Sequence, residues 1–160
     1  MILNILETNL SSKEHAEAFI QLLDTYARDP MGGAHPLSDY VRQNLVQQMR
    51  LRQDAVVVMA FMDSTAVGLI NCFEGFSTFS CKPILNIHDV IVVPEFRGQG
   101  ISLQMLERVE QVGLMRGCCK LTLEVLDNNF IAKALYKKFG FSDYQLDPEY
   151  GNALFWEKKL

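Results

Sequence analysis

Gly98 and Gly100 stand between an apolar, β-branched run, Val90-Ile91-Val92-Val93, and an amphipathic run that begins at Ile101. The start of a helix leaves backbone N–H groups without intrahelical partners and carries a partial positive charge, so glycines there let a diphosphate approach those donors closely. Arg97 adds a full charge and a fork of donors suited to phosphate. The same glycines also suit a plain tight turn from strand to helix. Two familiar phosphate loops are excluded. A dinucleotide fingerprint needs a third glycine at position 103, where Leu103 stands, and a nucleoside-triphosphate loop needs G-K-S or G-K-T, which is absent.

The elements around this loop follow from periodicity. The apolar residues of 1–6 predict a strand, and Ala16, Phe19, Ile20, Leu23 and Ala27 predict a helix capped by Ser11 or Ser12 and running to about Arg28. Pro and Gly crowd 29–36, predicting a loop, and Val41, Leu45 and Met49 mark a second helix from Ser38. Residues 55–61 and 66–73 read as an antiparallel hairpin, 74–83 as a loop or irregular strand end, and 84–93 as a further strand.

Beyond Gly100 the period changes: Ile101, Met105, Val109 and Val112 form one face of a helix ending near Gly117. Residues 121–125 return to strand. A short helix starting at Asp127-Asn128 carries Ala132, Leu135, Tyr136 and Phe139, with Gly140 just past its end; 141–144 and 153–156 are the last strand candidates. The alternation describes a mixed α/β sheet in one domain over residues 1–160.

Composition narrows the function. The chain has 160 residues, 49% hydrophobic and 21% charged, with a formal net charge of -4. No apolar stretch is long enough to span a membrane, and without a Lys/Arg-rich run no broad nucleic-acid surface is expected. The amino-terminal segment lacks a basic leader and meets Glu7 at once, so it does not read as a secretory signal. Cys72, Cys81, Cys118 and Cys119 show no C-x-x-C spacing and read as reduced thiols, which implies a cytoplasmic protein; no metal site is expected.

Arg97-Gly98-Gln99-Gly100-Ile101-Ser102 resembles the R or Q-x-x-G-x-G or A signature of the GNAT superfamily of acetyl-coenzyme A dependent N-acetyltransferases, with Ser102 where that family usually has Gly or Ala. The resemblance continues in Val125-Leu126-Asp127-Asn128-Asn129, followed by Tyr136 and then Phe139-Gly140-Phe141. It implies an α/β (α+β) fold: a central mixed, mostly antiparallel sheet flanked by about four helices. Residues 76–97 and the Asn129 to Tyr136 spacing look most like the diamine and polyamine acetyltransferase group.

The resemblance also implies roles. Backbone groups of Val90, Ile91 and Val92 would pair with the pantetheine arm of acetyl-CoA, and Arg97, Gly98, Gln99, Gly100, Ile101, Ser102 and Leu103 would hold the pyrophosphate. Asn129 would lie on the cofactor side, and can at the same time cap the helix carrying Tyr136. Tyr136 matches the family tyrosine proposed to protonate the departing thiolate, although a tyrosine on an apolar helical stripe also suits a core. The acceptor amine must be neutral to attack. His88 is the best-placed base, or a structural histidine, with Asp89, Glu74 and Glu124 as alternatives.

Tyr26, Asp29, His35, Glu74 and Phe76, in the variable 30–36 and 74–79 segments and just before them, would form an aromatic and acidic acceptor cleft. The implied reaction moves an acetyl group from acetyl-CoA to a primary amine of a small molecule such as a polyamine or amino acid. A protein or peptide acetyltransferase and a non-catalytic acyl-CoA sensor stay as alternatives. A homodimer is implied, without nucleic acid or membrane.

Overall fold

Alternating and continuous apolar runs pair first into a sheet, here described from a computed structural model covering residues 1–144, 147, 149, 151 and 153–160. The backbone divides into two compact units, Met1–Leu126 and Asp127–Leu160.

In the first unit five strands lie in sequence order: β1 (Leu3–Thr8), β2 (Ala55–Met62), β3 (Thr65–Ser77), β4 (Lys82–Val92) and β5 (Leu121–Leu123). The first four pair antiparallel, while β5 runs parallel to β4. β2 is buried from Val56 to Met62 because both faces of the sheet are covered, which is why its sequence is a continuous apolar run.

One face is covered by α1 (Lys13–Arg28) and α2 (Asp39–Leu51). Phe19 and Leu22 of α1 and Met49 of α2 join Val57, Met59, Phe61, Leu69 and Ile91 in one apolar cluster. Ser12 caps α1 by accepting from His15 N, and Ser38 caps α2 by accepting from Val41 N. The other face is covered by α3 (Ile101–Met115), whose expected stripe of Ile101, Met105, Val109 and Val112 is buried. Gly68 of β3 makes that packing close: a Cβ there would lie 2.8 Å from Met105 Cε.

The second unit holds α4 (Phe130–Phe139), capped by Asn129 and closed by Gly140 at φ 111°.

Three expectations change. β3 continues through Glu74 to Ser77 because 74–77 form a ladder with 82–85, so the segment read as a loop or irregular strand end is the outer part of a long hairpin. β5 is shorter than 121–125. Residues 141–144 and 153–156 form no strand: a period-two apolar pattern records a capacity to pair, and no described strand pairs with either segment. Leu154, Phe155 and Trp156 are instead exposed.

Candidate active site

β4 and β5 create an opening in the sheet. Their ladder covers Leu85, Asn86 and Ile87 against Leu121, Thr122 and Leu123, and among the described residues β4 has no further partner on that side. On its other side β4 stays paired with β3 as far as Val92 with Gly68. The stretch 88–92 therefore presents one edge without a strand partner, whose peptide groups, apart from Val92 O, which Arg97 Nε holds, suit an extended amide chain. Val90, Ile91 and Val92 lie on it.

The chain then turns through a single 3-10 turn, Pro94–Phe96, into the glycine loop. Gly98 and Gly100 sit at φ 76° and 77°, the left-handed region that side-chain-bearing residues avoid. A Cβ at either would meet nothing within 4 Å, so conformation, and not crowding by the protein, calls for glycine here. Gly100 is the N-cap of α3 and offers no side chain; the first carbonyl turned into the helix is its own, accepting from Gln104 N at 3.2 Å. The amides of Ile101, Ser102 and Leu103 precede that bond and occupy the helix start, where an anion is favoured.

Arg97 is held from two sides. Its Nε donates to Val92 O at 2.9 Å and its Nη2 to Asp29 Oδ2 at 3.0 Å, so the guanidinium links the glycine loop to the segment after α1. Asp29 Oδ1 accepts from Met31 N at 2.9 Å. That bond and the Arg97 guanidinium hold the Asp29 carboxyl below the usual carboxylate range, against a smaller opposing effect of burial.

His88 occupies a β-bulge. Asn71 pairs with Asp89 and Cys72 with Ile87, which leaves His88 as the extra residue on β4. Its ring is exposed, stands edge-on to Phe73 with centroids 5.6 Å apart, and brings Nδ1 to 3.5 Å from Asp89 Oδ1. Asp89 Oδ2 accepts from Asn71 Nδ2 at 3.0 Å. Asn71 is only 2% exposed, and its Oδ1 has no hydrogen-bond partner. Sequence reasoning missed Asn71, although a lone amide inside the apolar run 67–73 was a usable signal. Tyr26 belongs to the same neighbourhood: burial and then the charges of Asp89 and Asp29 raise its phenol above the ordinary range.

The expected acceptor cleft is not assembled as one group. Side chains alternate along a strand, so Phe73 faces the α1–α2 cluster while Glu74 faces the α3 side. There Glu74 Oε2 lies 3.4 Å from Arg116 Nη1, just past α3, and apart from Tyr26 and Asp29. Phe76 is exposed on the outer hairpin, and His35 is fixed through its backbone N, which donates to Ala27 O.

In the second unit, Asn129 Oδ1 accepts from Ala132 N at 3.2 Å, which gives it the helix-capping role. Tyr136, seven residues on, is the buried residue of α4; its ring meets Phe141 edge-on with centroids 5.9 Å apart.

Comparison with known proteins agrees with this geometry. The model of the acetyltransferase (GNAT) family matches residues 17–141. An uncharacterized N-acetyltransferase of Archaeoglobus fulgidus is 31% identical over 121 residues, covering 71% of this chain and 82% of that protein. Thialysine N-epsilon-acetyltransferase of Bos taurus is 43% identical over 71 residues, 44% of this chain; the match spans only 41% of the bovine protein's length. Among solved structures, a probable acetyltransferase superposes with a TM-score of 0.81 at 21% identity, covering 98% of this chain and 99% of its own. AAC(6')-Iy in complex with the bisubstrate analogue CoA-S-monomethyl-acetylneamine superposes with a TM-score of 0.76 at 19% identity over 100% of both chains. With the matched family model spanning most of its sheet and helices, the chain belongs to the acetyltransferase (GNAT) family.

Proposed function

We propose that the chain works as one catalytic domain that transfers the acetyl group of acetyl-CoA to a primary amine of a small molecule. The observation that carries this reading is the continuity of the open β4 edge at 88–92 with a loop whose two left-handed glycines leave the start of α3 uncovered. Pantetheine amides fit the edge, and a diphosphate fits the loop and Arg97. The similarity to a thialysine acetyltransferase supports a small amine as acceptor.

In the proposed reaction the acceptor nitrogen attacks the thioester carbonyl carbon, the C–S bond breaks, and the acetyl group leaves on nitrogen as an amide. An amine of pKa near 10.4 costs about 4 to 5 kcal/mol to deprotonate at pH 7, so a base is needed. His88 takes that proton at Nε2, because Asp89 Oδ1 faces Nδ1 and favours the tautomer with hydrogen on that side. Tyr136 supplies the proton to the departing thiolate sulfur, and the second proton, which the nitrogen sheds on becoming an amide, restores the phenol. Its hydroxyl, ordinarily near 10 against about 8.5 for a thiol, acts by hydrogen-bonding the sulfur as charge develops. The capped α4 and the burial of Tyr136 support a fixed phenol. A cytoplasmic homodimer completes the reading.

The test is acetyl-CoA dependent thiol release, screened over polyamines, amino acids, aminoglycosides and peptides. Turnover on a small amine, reduced at least tenfold in Tyr136→Phe, supports the proposal. Turnover on peptides alone, or donor binding without turnover on any amine, contradicts it.

A further inference from the structure

Asp29 does two things at once, through its carboxylate and its backbone carbonyl. It organises the turn that follows α1: Oδ1 accepts from Met31 N, and the Asp29 carbonyl accepts from Gly32 N at 2.8 Å and Ala34 N at 3.1 Å. Gly32 is confined there, since a Cβ would lie 1.9 Å from Tyr26 O. The other carboxylate oxygen, Oδ2, holds Arg97 Nη2, 68 residues away in the glycine loop.

We infer that Asp29 is a positioning residue that competes with the phosphates of the acyl donor for Arg97, so that donor binding releases the 30–36 loop. The inference rests on the donor-site reading above. Arg97 Nε stays anchored on Val92 O, which keeps the guanidinium head within reach of both anions. A diphosphate drawn to the start of α3 brings at least one further negative charge toward Asp29, and two anions sharing one cation each weaken the other's hold. Asp29 and Arg97 are partly exposed, with side-chain accessibilities of 23% and 51%, so the contact can open without unfolding the core. The donor loop and this turn are thereby linked: what loosens Asp29 on one side frees the Met31–Gly32–Ala34 turn on the other. Tyr26, whose phenol is raised by burial and then by the charges of Asp89 and Asp29, would feel the change.

Two measurements on the full chain test this: calorimetric titration with acetyl-CoA, and hydrogen exchange at the Met31, Gly32 and Ala34 amides with and without it. In the wild type, saturating acetyl-CoA is expected to speed exchange at these amides about fivefold, the lower end of ordinary coupling. Asp29→Asn, which keeps an acceptor for Met31 N but removes the charge, is expected to bind acetyl-CoA about fivefold tighter and to show less than about a twofold change in exchange on binding. Asp29→Ser, which also keeps an acceptor for Met31 N, repeats the test should the first variant misfold. Donor binding with unchanged or slowed exchange in the wild type overturns the inference, as does an Asp29→Asn protein that binds no tighter. Absence of acetyl-CoA binding in the wild type is a different outcome: calorimetry reads it directly, and it removes the donor site itself.

Discussion

Asn71 donates from Nδ2 to Asp89 Oδ2 across 3.0 Å while its own Oδ1 lies buried without a partner. The amide thus fixes the carboxylate that faces His88, at a cost in unsatisfied polarity. Asn71→Leu removes both the bond and the orphan acceptor. Its stability is expected to change by less than about 1 kcal/mol, because losing the orphan acceptor offsets the donor that the partly exposed Asp89 Oδ2 gives up. Its kcat/KM is expected to fall about tenfold at unchanged acetyl-CoA affinity. Thermal unfolding, calorimetry and steady-state kinetics check this; a parallel loss of stability and activity would mean that Asn71 only supports the core.

Gly100 tests conformation against crowding. Gly100→Ala meets no protein atom but must hold φ near 77°, which costs about 1 to 2 kcal/mol. The added methyl group also lies on the open side of the loop, so acetyl-CoA affinity is expected to drop by more than the stability loss explains, about tenfold. Gly117→Ala, also at a left-handed glycine with open space but beyond the far end of α3, is expected to lose similar stability with no change in donor affinity.

Much of this was legible in the sequence, and the failures share a cause. The apolar faces of α1 and α3, the β2–β3 hairpin and the glycine loop follow from local periodicity and turn chemistry, so they were found within a few residues. What depends on a distant partner was not. Glu74 to Ser77 became strand only because Lys82 to Leu85 lie opposite, and Glu74 left the acceptor group because Arg116 draws it to the α3 face. The sequence places His88, as a base or a structural histidine, inside a continuous strand, whereas the β3 register makes it a bulge. The Arg97–Asp29 contact joins residues 68 apart and has no local signature.

Asp24 ties α1 to the start of α2 by accepting from Arg28 Nε at 2.8 Å, Leu37 N at 2.9 Å and Arg42 Nη2. Burial pushes its carboxyl up, but the hydrogen bonds from Arg42, Arg28 and Leu37 together outweigh it and hold the group well below the ordinary carboxylate range. A depressed carboxylate stabilises the fold above its unfolded pKa, near 3.9, and loses that contribution as pH falls toward its folded value. Asp24→Asn is expected to cost about 2 kcal/mol at pH 7, and the difference from wild type should shrink below about pH 4. Urea unfolding at pH 7, 4 and 3 measures it; a constant difference would argue against the charge.

Tyr26 gives an alkaline counterpart. Its phenol is raised first by burial and then by Asp89 and Asp29. A raised acidic group ionises less readily in the folded state, so the fold loses stability as pH rises above the unfolded value, near 10. The ultraviolet difference titration between wild type and Tyr26→Phe is expected to show a phenol ionising above that value, and ionising earlier in Asp29→Asn. A difference titration centred near 10 in both backgrounds would contradict the assignment.

The measurement closest to the central claim is calorimetric titration of acetyl-CoA into the wild type and into Gly98→Val, whose side chain would stand at the left-handed turn of the loop. A donor site at the glycine loop requires one-to-one binding to the wild type and binding at least about tenfold weaker to a folded Gly98→Val. Absence of binding to the wild type, or equal affinity in the two proteins, would contradict the assignment of the open β4 edge and its glycine loop as the donor site.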